Sequence, residues 1–395
     1  MKTESDMLSI YLHIPFCSSR CKYCDFNTYV GYGPYIDDYV NSLIIEISCA
    51  GEYNTSNLAV ESIYFGGGTP TLLNTHHYSA ILKSISGAFK VSSRIEISTE
   101  ANPCGLSENY LTGLAAAGVN RLSIGMQTGI ANELKLLGRN HSMEDVAASV
   151  SSARKAGIQN LNLDLIFGIP GQTLVSFRQS LMDAVQLRPE HLSLYSLSLE
   201  DSTVLAEEIR LGEISAPDED LVADMYEMAM ELLAENNYNQ YEISNWSLFG
   251  RYECRHNLQY WRNLQYLGFG AGAHSHYNSL RWENHHSIKE YIYCIKKVGE
   301  KSRQPTAIEV VKLEKKLLIQ ETIMMGLRLT NEGLDVGLLK NRFDVDIEKM
   351  YAREIEFLIK QDLLEWGNYG LKPCLKLTRR GRMLGNQVFM QFMGE

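Results

Sequence analysis

Over residues 9 to about 200, the chain repeatedly alternates a short apolar or β-branched run with a longer segment of helical periodicity. Short apolar runs bounded by turn residues are typical of buried strands, and apolar residues at every third or fourth position are typical of helices. The predicted strands are Ser9–Pro15, Ser62–Gly66, Arg94–Asn102, Arg121–Gln127, Asn160–Gly168 and His191–Leu197. The predicted helices are Tyr35–Ile47, His76–Phe89, Ser107–Ala117, Ser142–Ala156 and Leu174–Leu187.

This alternation predicts a parallel sheet with right-handed crossovers, either an open doubly wound sheet or a complete or partial TIM-like barrel. Functional side chains in parallel barrels lie at the carboxyl ends of the strands. Polar or glycine-rich residues follow most of the predicted strands, at Cys17–Cys24, Gly66–Thr69, Glu100, Gln127 and Asp164. Because an open sheet mainly uses one switch point, we predict an α/β fold with a partial (β/α)6 TIM-like barrel.

The strand and helix repeat ends after a long amphipathic helix predicted over Asp218–Asn236. The segment that follows, residues 238–304, is rich in aromatic residues and histidine. The tail predicts helices at Ile308–Leu327, Asp335–Arg342 and Ile347–Gln361, and then two short strands, Leu363–Trp366 and Leu375–Thr378, around a turn at Asn368–Gly370. That order resembles a winged helix. The predicted domains are therefore a barrel over 1–237, a connecting segment over 238–304 and a small winged-helix-like α+β domain over 305–395.

Composition and charge narrow the function classes. A formal net charge of −10 argues against a general nucleic-acid binder, because neutralising phosphates needs a concentration of Lys and Arg. We therefore expect no nucleic-acid partner, despite Arg379, Arg380 and Arg382 in the tail. No apolar run approaches the roughly 18 residues of a membrane helix, so an integral membrane protein is not expected. Residues 1–6 show neither a signal nor a transit peptide, which predicts a cytoplasmic location.

Three of the eight cysteines, Cys17, Cys21 and Cys24, fall in one loop directly after the first predicted strand. Clustered thiolates select iron–sulfur clusters, zinc or Cu(I). Three thiolates on a four-iron cluster leave one iron open to a small chelating molecule. The alternative is a Cys3His zinc site with His13 or a distant histidine as the fourth ligand. The other five cysteines stand singly, which does not indicate a disulfide framework.

The CxxxCxxC spacing, with Tyr11-x-His13-Ile14-Pro15-Phe16 before it, resembles the radical SAM superfamily. Matching motifs follow in order: Gly66-Gly67-Gly68-Thr69-Pro70, Glu100 in STEANP, Gln127 in SIGMQ, Arg139 and Asp164. The resemblance covers nearly the whole chain and falls in the coproporphyrinogen-oxidase-like branch, which includes heme chaperones. It implies a [4Fe–4S] cluster on Cys17, Cys21 and Cys24 that binds S-adenosylmethionine (SAM). It also implies SAM contacts from Tyr11, Tyr23, Gly67, Gly68, Thr69, Glu100, Gln127, Arg139 and Asp164.

A second motif, His256-Asn257-x-x-Tyr260-Trp261, lies in the aromatic segment and is similar to the HNxxYW motif of the heme-chaperone branch. The resemblance implies a heme site, with His256 as a candidate ligand of the heme iron and with Tyr260 and Trp261 covering the porphyrin face. A histidine beside aromatic residues can equally be a satisfied core residue, and this alternative stays open. His274, in the glycine-rich stretch 268–275, is a second candidate ligand.

Two features depart from the oxidase pattern of the same branch. Phe26 stands where the resemblance would place a fourth cysteine, and Cys17 follows the N-terminus without the long preceding segment of the oxidases. These departures favour a chaperone that binds heme and transfers it to an unidentified acceptor protein, with an electron donor as a further partner. The alternatives are an oxygen-independent coproporphyrinogen III oxidase and a radical enzyme with another substrate. Whether the chain is an enzyme stays open.

Overall fold

The computed structural model describes residues 7–52, 58–298, 302 and 304–393. Its strands are β1 (Met7–Ile14), β2 (Phe16–Cys17), β3 (Tyr29–Val30), β4 (Ala59–Gly67), β5 (Lys90–Ala101), β6 (Arg121–Gln127), β7 (Asn160–Phe167), β8 (His191–Ser196), β9 (Tyr238–Glu242), β10 (Asn245–Leu248), β11 (Tyr266–Phe269), β12 (His274–Tyr277), β13 (Leu280–Asn284), β14 (Ala307–Lys312), β15 (Leu334–Asp335), β16 (Leu364–Tyr369) and β17 (Lys372–Leu377).

The α-helices pack around these strands and connect most of those in the parallel sheet. They are α1 (Ile36–Glu52), α2 (Thr75–Ala88), α3 (Glu108–Ala117), α4 (Ala131–Leu136), α5 (Met143–Lys155), α6 (Leu174–Gln186), α7 (Val204–Arg210), α8 (Glu219–Glu235), α9 (Arg255–Trp261), α10 (Ile288–Val298), α11 (Lys315–Gly326), α12 (Val336–Phe343), α13 (Ile347–Met350), α14 (Ala352–Lys360), α15 (Arg379–Met383) and α16 (Gly385–Met393).

Six parallel strands form the centre of the main sheet, in the order β1-β4-β5-β6-β7-β8. All seven residues of β6 are buried, as expected for a strand covered on both faces. The sheet does not close, because β11 to β14 extend it beyond β1 and β10 and β9 extend it beyond β8. The predicted α/β fold with an incomplete barrel is therefore confirmed.

Residues 238–304 join the main sheet instead of forming a separate layer. The strands β9 to β13 all come from this segment, and β11 pairs parallel to β1 in register Tyr11 to Gly268. The pairing brings the glycine-rich stretch beside the first strand. Residues that follow β1 and residues that follow β11 consequently lie at the same edge of the sheet.

The predicted helix Ile308–Leu327 is wrong in its first third. Residues Ala307–Lys312 form the edge strand β14, which pairs antiparallel with β13, and the helix α11 begins only at Lys315. The β-branched residues Ile308, Val310 and Val311 favour a strand, and β13 supplies the hydrogen-bonding partner that sequence periodicity does not reveal.

The tail forms a small α+β unit with its own core. A three-stranded antiparallel sheet, β15-β17-β16, packs with helices α11 to α16 around buried residues that run from Leu313 to Phe392. The helix predicted over Ile347–Gln361 is divided into α13 and α14. The domain boundaries given above stay a prediction. In the described part of the chain, no helix is long and apolar enough to span a membrane.

Candidate functional site

The three clustered cysteines lie on a loop that β2 and β3 close at its base. Cys17 ends β2 and pairs with Val30 of β3. The Cys24 amide donates to the Cys21 carbonyl at 3.2 Å, which makes a tight turn. All three are partly buried free thiols, and burial raises the pKa of Cys17 and of Cys21. We refer to residues 17–24 as the cluster loop.

The distances between the three cysteine sulfurs help to distinguish a zinc site from an iron–sulfur cluster. Among the described residues, the one group of three potential ligands with all ligand atoms within 4.8 Å of one another is Asp37, His76 and His77. The three cysteine sulfurs are therefore not gathered that tightly. Bonds of about 2.3 Å to one tetrahedral zinc would hold the sulfurs about 3.8 Å apart. The wider spread fits a polynuclear cluster better than a single ion.

The glycine-rich turn after β4 is locked against the strand that precedes the cluster loop. The Gly68 amide donates to Ile14 at 2.9 Å, and the Thr69 amide donates to Phe16 at 2.7 Å. Gly67 has φ +109°, and a Cβ there would lie 2.5 Å from the His13 ring. A Cβ on Gly68 would lie 2.6 Å from the Phe16 carbonyl oxygen. Glycine is thus required at 67 by both conformation and space, and at 68 by space.

A chain of side-chain hydrogen bonds runs from the cluster loop across the strand ends. The Thr69 hydroxyl donates to the Cys17 sulfur at 3.7 Å and accepts from Asn102 Nδ2 at 3.1 Å. Asn102 Oδ1 accepts from Arg139 Nη1 at 2.7 Å. Arg139 also hydrogen-bonds the Tyr23 side chain, and this contact returns the chain to the cluster loop. Four residues with predicted SAM or cluster roles are therefore linked through Asn102, which the sequence did not single out.

Within this network of side-chain hydrogen bonds, one nitrogen of Arg139 has no partner. Among the described residues, Arg139 Nε is buried and makes no hydrogen bond. A buried unsatisfied donor is costly unless a ligand completes it. A guanidinium is a suitable donor to a carboxylate, so the arrangement fits the carboxylate end of an amino-acid ligand such as SAM.

Two predicted acidic residues, Glu100 on β5 and Asp164 on β7, lie on strands that β6 separates. Glu100 accepts from the Tyr64 hydroxyl and from the Gly67 amide, both at 3.0 Å. Burial, followed by the nearby charge of Asp164, raises the pKa of Glu100 to about 7. Burial also raises the pKa of Asp164, which accepts from Ser123 at 2.9 Å. A cationic ligand would stabilise the ionised carboxylates here.

Gln127, at the end of β6, has the strained backbone that functional strand ends often show. Its φ is +64°, and the pairing of β6 with β7 shifts register between Gly125 and Gln127. This bulge turns the side chain relative to the regular strand. Gln127 is buried, and its amide group lies near the position that a Cβ on Gly125 would occupy.

A cavity of about 770 Å³ opens beside these groups. The strand ends contribute Tyr11, Gly67 and Glu100 to its lining. The opposite wall comes from the segment 238–304 and includes Tyr260, Tyr266, His274 and His286. Phe26 and Asn27, which directly follow the cluster loop, line it as well. Three of the predicted SAM residues and part of the aromatic segment therefore share one cavity.

The residues of the HNxxYW motif all lie on helix α9, but their side chains have different surroundings. His256 is buried, with Nδ1 2.9 Å from the Ser62 hydroxyl and Nε2 3.1 Å from the Tyr260 hydroxyl. Burial lowers the pKa of His256 to about 3, so its imidazole is neutral. Tyr260 reaches the large cavity, whereas Trp261 stacks with Arg328 at 4.6 Å beside a separate cavity of about 230 Å³. The backbone amide of Asn257 hydrogen-bonds Cys254.

His256 therefore sits as a satisfied core histidine, one of the two alternatives left open by the sequence. Its ring stacks on Tyr64 at 5.1 Å, and Tyr64 in turn donates to Glu100. The motif thus supports the wall of the cavity through Tyr260 and Tyr64. No ring nitrogen of His256 is free for iron in this conformation.

Tyr266, His286 and Asn27 are among the cavity residues that were not assigned from the sequence. Asn27 Nδ2 donates to the carbonyls of Ala271 and His286, and it thereby ties the chain after the cluster loop to the aromatic segment. The signal that could have revealed His286 is its position three residues after Glu283, in a segment rich in histidine.

This chain is similar to known proteins along nearly its whole length. The radical SAM superfamily model matches residues 11–184, and the HemN C-terminal domain model matches residues 313–384. Heme chaperone HemW of Lactococcus lactis subsp. lactis (strain IL1403) is 38% identical over 388 residues, 98% of this chain and 97% of that protein. Heme chaperone HemW of Bacillus subtilis (strain 168) is 39% identical over 395 residues, 98% of this chain and 100% of that protein.

A solved structure shares the fold along nearly the whole chain. Coproporphyrinogen III oxidase (HemN) from Escherichia coli, described as a radical SAM enzyme, superposes with a TM-score of 0.83 at 24% identity. The superposition covers 98% of this chain and 90% of the other. The predicted superfamily and branch are confirmed by these matches. With full-length identities of 38% and 39% to two HemW proteins, the chain belongs to the HemW family of the radical SAM superfamily.

Proposed function

We propose that this protein is a heme chaperone, which binds heme and transfers it to an acceptor protein. The observation that carries the proposal is the identity of 38% and 39% with proteins named heme chaperone HemW over 98% of this chain. An acceptor protein and an electron donor are the partners we propose. The proposed location is the cytoplasm.

We also propose that Cys17, Cys21 and Cys24 hold a [4Fe–4S] cluster whose open iron binds SAM. Such a cluster, when bound, supplies an electron to the sulfonium of SAM. The residues of this chain orient the ligand: Arg139 meets the carboxylate, and Glu100 and Asp164 accept from the ammonium or the ribose. Tyr11, Tyr23, Gly67, Gly68, Thr69 and Gln127 complete the proposed SAM contacts. The orphaned Nε of Arg139 supports this assignment.

Heme is proposed to bind in the 770 Å³ cavity, whose size lies within the usual range for ligand pockets. Its aromatic lining, with Phe26, Tyr260 and Tyr266, offers apolar surface to a porphyrin face. His256 is proposed to act on this site through Tyr260 and Tyr64 and not through direct contact. Asn257 and Trp261 lie on the same helix and are proposed to fix its position.

Coproporphyrinogen III oxidation is the alternative, because the HemN structure has the same fold. A fold alone does not define a function. Phe26 occupies the position at which the oxidase pattern has a further cysteine, and its exposed ring faces the cavity. The chaperone function is therefore favoured.

The test uses the full chain with its cluster reconstituted anaerobically, in two parallel assays. In the first, heme-loaded protein is mixed with the apo form of a b-type heme protein, and heme transfer is followed by the Soret band. In the second, coproporphyrinogen III, SAM and a reductant are supplied, and carbon dioxide release is measured. We expect heme transfer and no decarboxylation. Decarboxylation without heme uptake would establish the oxidase instead, and a Cys17→Ser/Cys21→Ser/Cys24→Ser variant serves as the cluster-free control in both assays.

A further inference from the structure

Neither ring nitrogen of His256 is free to bind heme iron in this structure. Both ring nitrogens of His256 are engaged, one with Ser62 and one with Tyr260, and the side chain is buried. Presenting this imidazole to iron would break both contacts and leave the Ser62 and Tyr260 hydroxyls with one partner fewer. Unmade buried hydrogen bonds are costly, so the contacts oppose such a rotation.

Three histidines line the 770 Å³ cavity: His13, His274 and His286. Both ring nitrogens of His13 are engaged, Nδ1 with the Tyr11 hydroxyl at 3.0 Å and Nε2 with the Asn27 carbonyl at 2.9 Å, which leaves His274 and His286 as candidates. The side chain of His274 is 56% exposed, and that of His286 is 53% exposed. Glu283 lies between them: its Oε2 is 3.4 Å from His274 Nε2 and 3.6 Å from His286 Nε2. His274 and Glu283 are directly opposite each other in the β12 and β13 pair.

This arrangement has the chemistry of an iron-binding imidazole with its supporting carboxylate. Metal-binding histidines usually donate their second ring N–H to a carboxylate, which fixes the ring and makes the other nitrogen more basic. With Glu283 facing Nε2, the Nδ1 of either histidine is the nitrogen left for iron. Heme iron in proteins is commonly held by a histidine imidazole.

The backbone that carries these histidines is held firmly. Glu46, buried beneath the glycine-rich stretch, accepts from the Gly270 amide at 2.9 Å and from Asn284 Nδ2 at 2.7 Å. On the other side, the His286 carbonyl accepts from Asn27 at 3.0 Å and from Tyr29 at 3.1 Å. These contacts tie the histidines to residues that directly follow the cluster loop.

We propose that the iron of the bound heme is ligated by His274, supported by Glu283 and His286, and not by His256. The proposal rests on the proposed heme-binding function and specifies its site. It places the heme at the outer wall of the cavity, with Tyr260 and Tyr266 beside it. An exposed iron-binding residue at the cavity wall also suits a chaperone, because the heme must be released to the acceptor protein.

The experiment compares heme binding by the reconstituted full chain and five variants, using Soret titration for affinity and electron paramagnetic resonance of ferric heme for the ligand. We expect His274→Ala to lower heme affinity at least tenfold and to change the resonance spectrum. Glu283→Gln should keep heme but shift its midpoint potential to a more positive value, because the imidazole becomes less basic. His285→Ala is the matched control: it is the adjacent histidine, pairs with Glu290 and should behave as the wild type.

His256→Gln is the fourth variant, and its resonance spectrum should keep the wild-type ligand signature. The proposal is overturned if a His274→Ala/His286→Ala double variant keeps both the affinity and the spectrum of the wild type, or if the spectrum changes only in His256→Gln. Failure of the wild type to bind heme would instead remove the proposed function itself. The two failures are therefore distinguishable in one set of titrations.

Discussion

The Asn102 side chain bridges Thr69 and Arg139, with Oδ1 2.7 Å from Arg139 Nη1 and Nδ2 3.1 Å from Thr69 Oγ1. Because Thr69 also donates to Cys17, one amide couples a proposed cluster ligand to the proposed donor for the SAM carboxylate. We propose that Asn102, which is expected to contact neither ligand, holds the cluster loop in register with the proposed SAM site.

Replacing Asn102 should therefore weaken SAM binding without removing the cluster. Loss of a hydrogen bond to a charged group costs about 1.5–3 kcal/mol, so we expect Asn102→Ala to lower SAM affinity by roughly 10- to 100-fold. The change in the resonance signal of the reduced cluster on SAM addition gives the affinity. Asn236→Ala is the control, since the Asn236 side chain donates to the Leu232 carbonyl of its own helix. Unchanged SAM affinity in Asn102→Ala would remove the proposed coupling.

Gly67→Ala should destabilise the protein more than Gly105→Ala, although both glycines have a positive φ. Gly67 has φ +109° and its Cβ would lie 2.5 Å from His13, whereas Gly105 has φ +80° and open space around it. Both substitutions carry the backbone cost of about 1 kcal/mol, and only Gly67→Ala adds a steric clash. We expect a larger fall in the free energy of unfolding for Gly67→Ala than for Gly105→Ala, measured by urea denaturation. Equal losses would contradict the packing described here.

The raised pKa of Glu100 predicts a pH dependence of SAM binding. With a pKa of about 7 in the free protein, Glu100 is mostly protonated at pH 6 and mostly ionised at pH 8. SAM carries positive charge and favours the ionised form, so its affinity should rise about tenfold over this range. Glu100→Gln should bind SAM weakly and with a flat profile, and the exposed Glu108→Gln should keep the slope. Calorimetric titration at several pH values measures this, and an unaltered slope in Glu100→Gln would refute the assignment.

Phe26 should contribute apolar surface to heme and not to the cluster. Its side chain is 67% exposed and lines the cavity, whereas Phe249 is 60% exposed and lies outside it. Covering a phenylalanine with a ligand is worth about 1.5–3 kcal/mol. We expect Phe26→Ala to weaken heme binding by roughly tenfold or more, with iron and sulfide content unchanged, and Phe249→Ala to have no effect on either. Loss of the cluster in Phe26→Ala would place the residue in a different role.

The parallel core could be predicted from the sequence because its signal is local. Fully buried runs such as Arg121–Gln127 and the helix-ending Gly118 report their own conformation. The edge strand β14 could not be predicted in this way. Ile308–Val311 runs directly into the apolar pattern of α11, and only pairing with β13 selects a strand. The added strands of residues 238–304 were missed for the same reason.

In the candidate site too, features set by nearby residues could be predicted and features set by distant residues could not. Cysteine spacing identifies the cluster loop without knowledge of the fold, because the ligands are close in sequence. The hydrogen bond of the buried His256 is to Ser62, which is 194 residues away, and His274 meets Glu283 only through the pairing of β12 with β13. The spacing of a motif therefore does not reveal whether the ring nitrogens of its histidine are engaged in the folded protein.

The most direct measurement of the central claim is a Soret titration of the reconstituted full chain with heme under anaerobic conditions. We expect saturable binding that ends at one heme per chain, because the proposed heme site is the single 770 Å³ cavity lined in part by the cluster loop and the residues after it. Absorbance that rises without saturation, as for heme adsorbed on a protein surface, would contradict it.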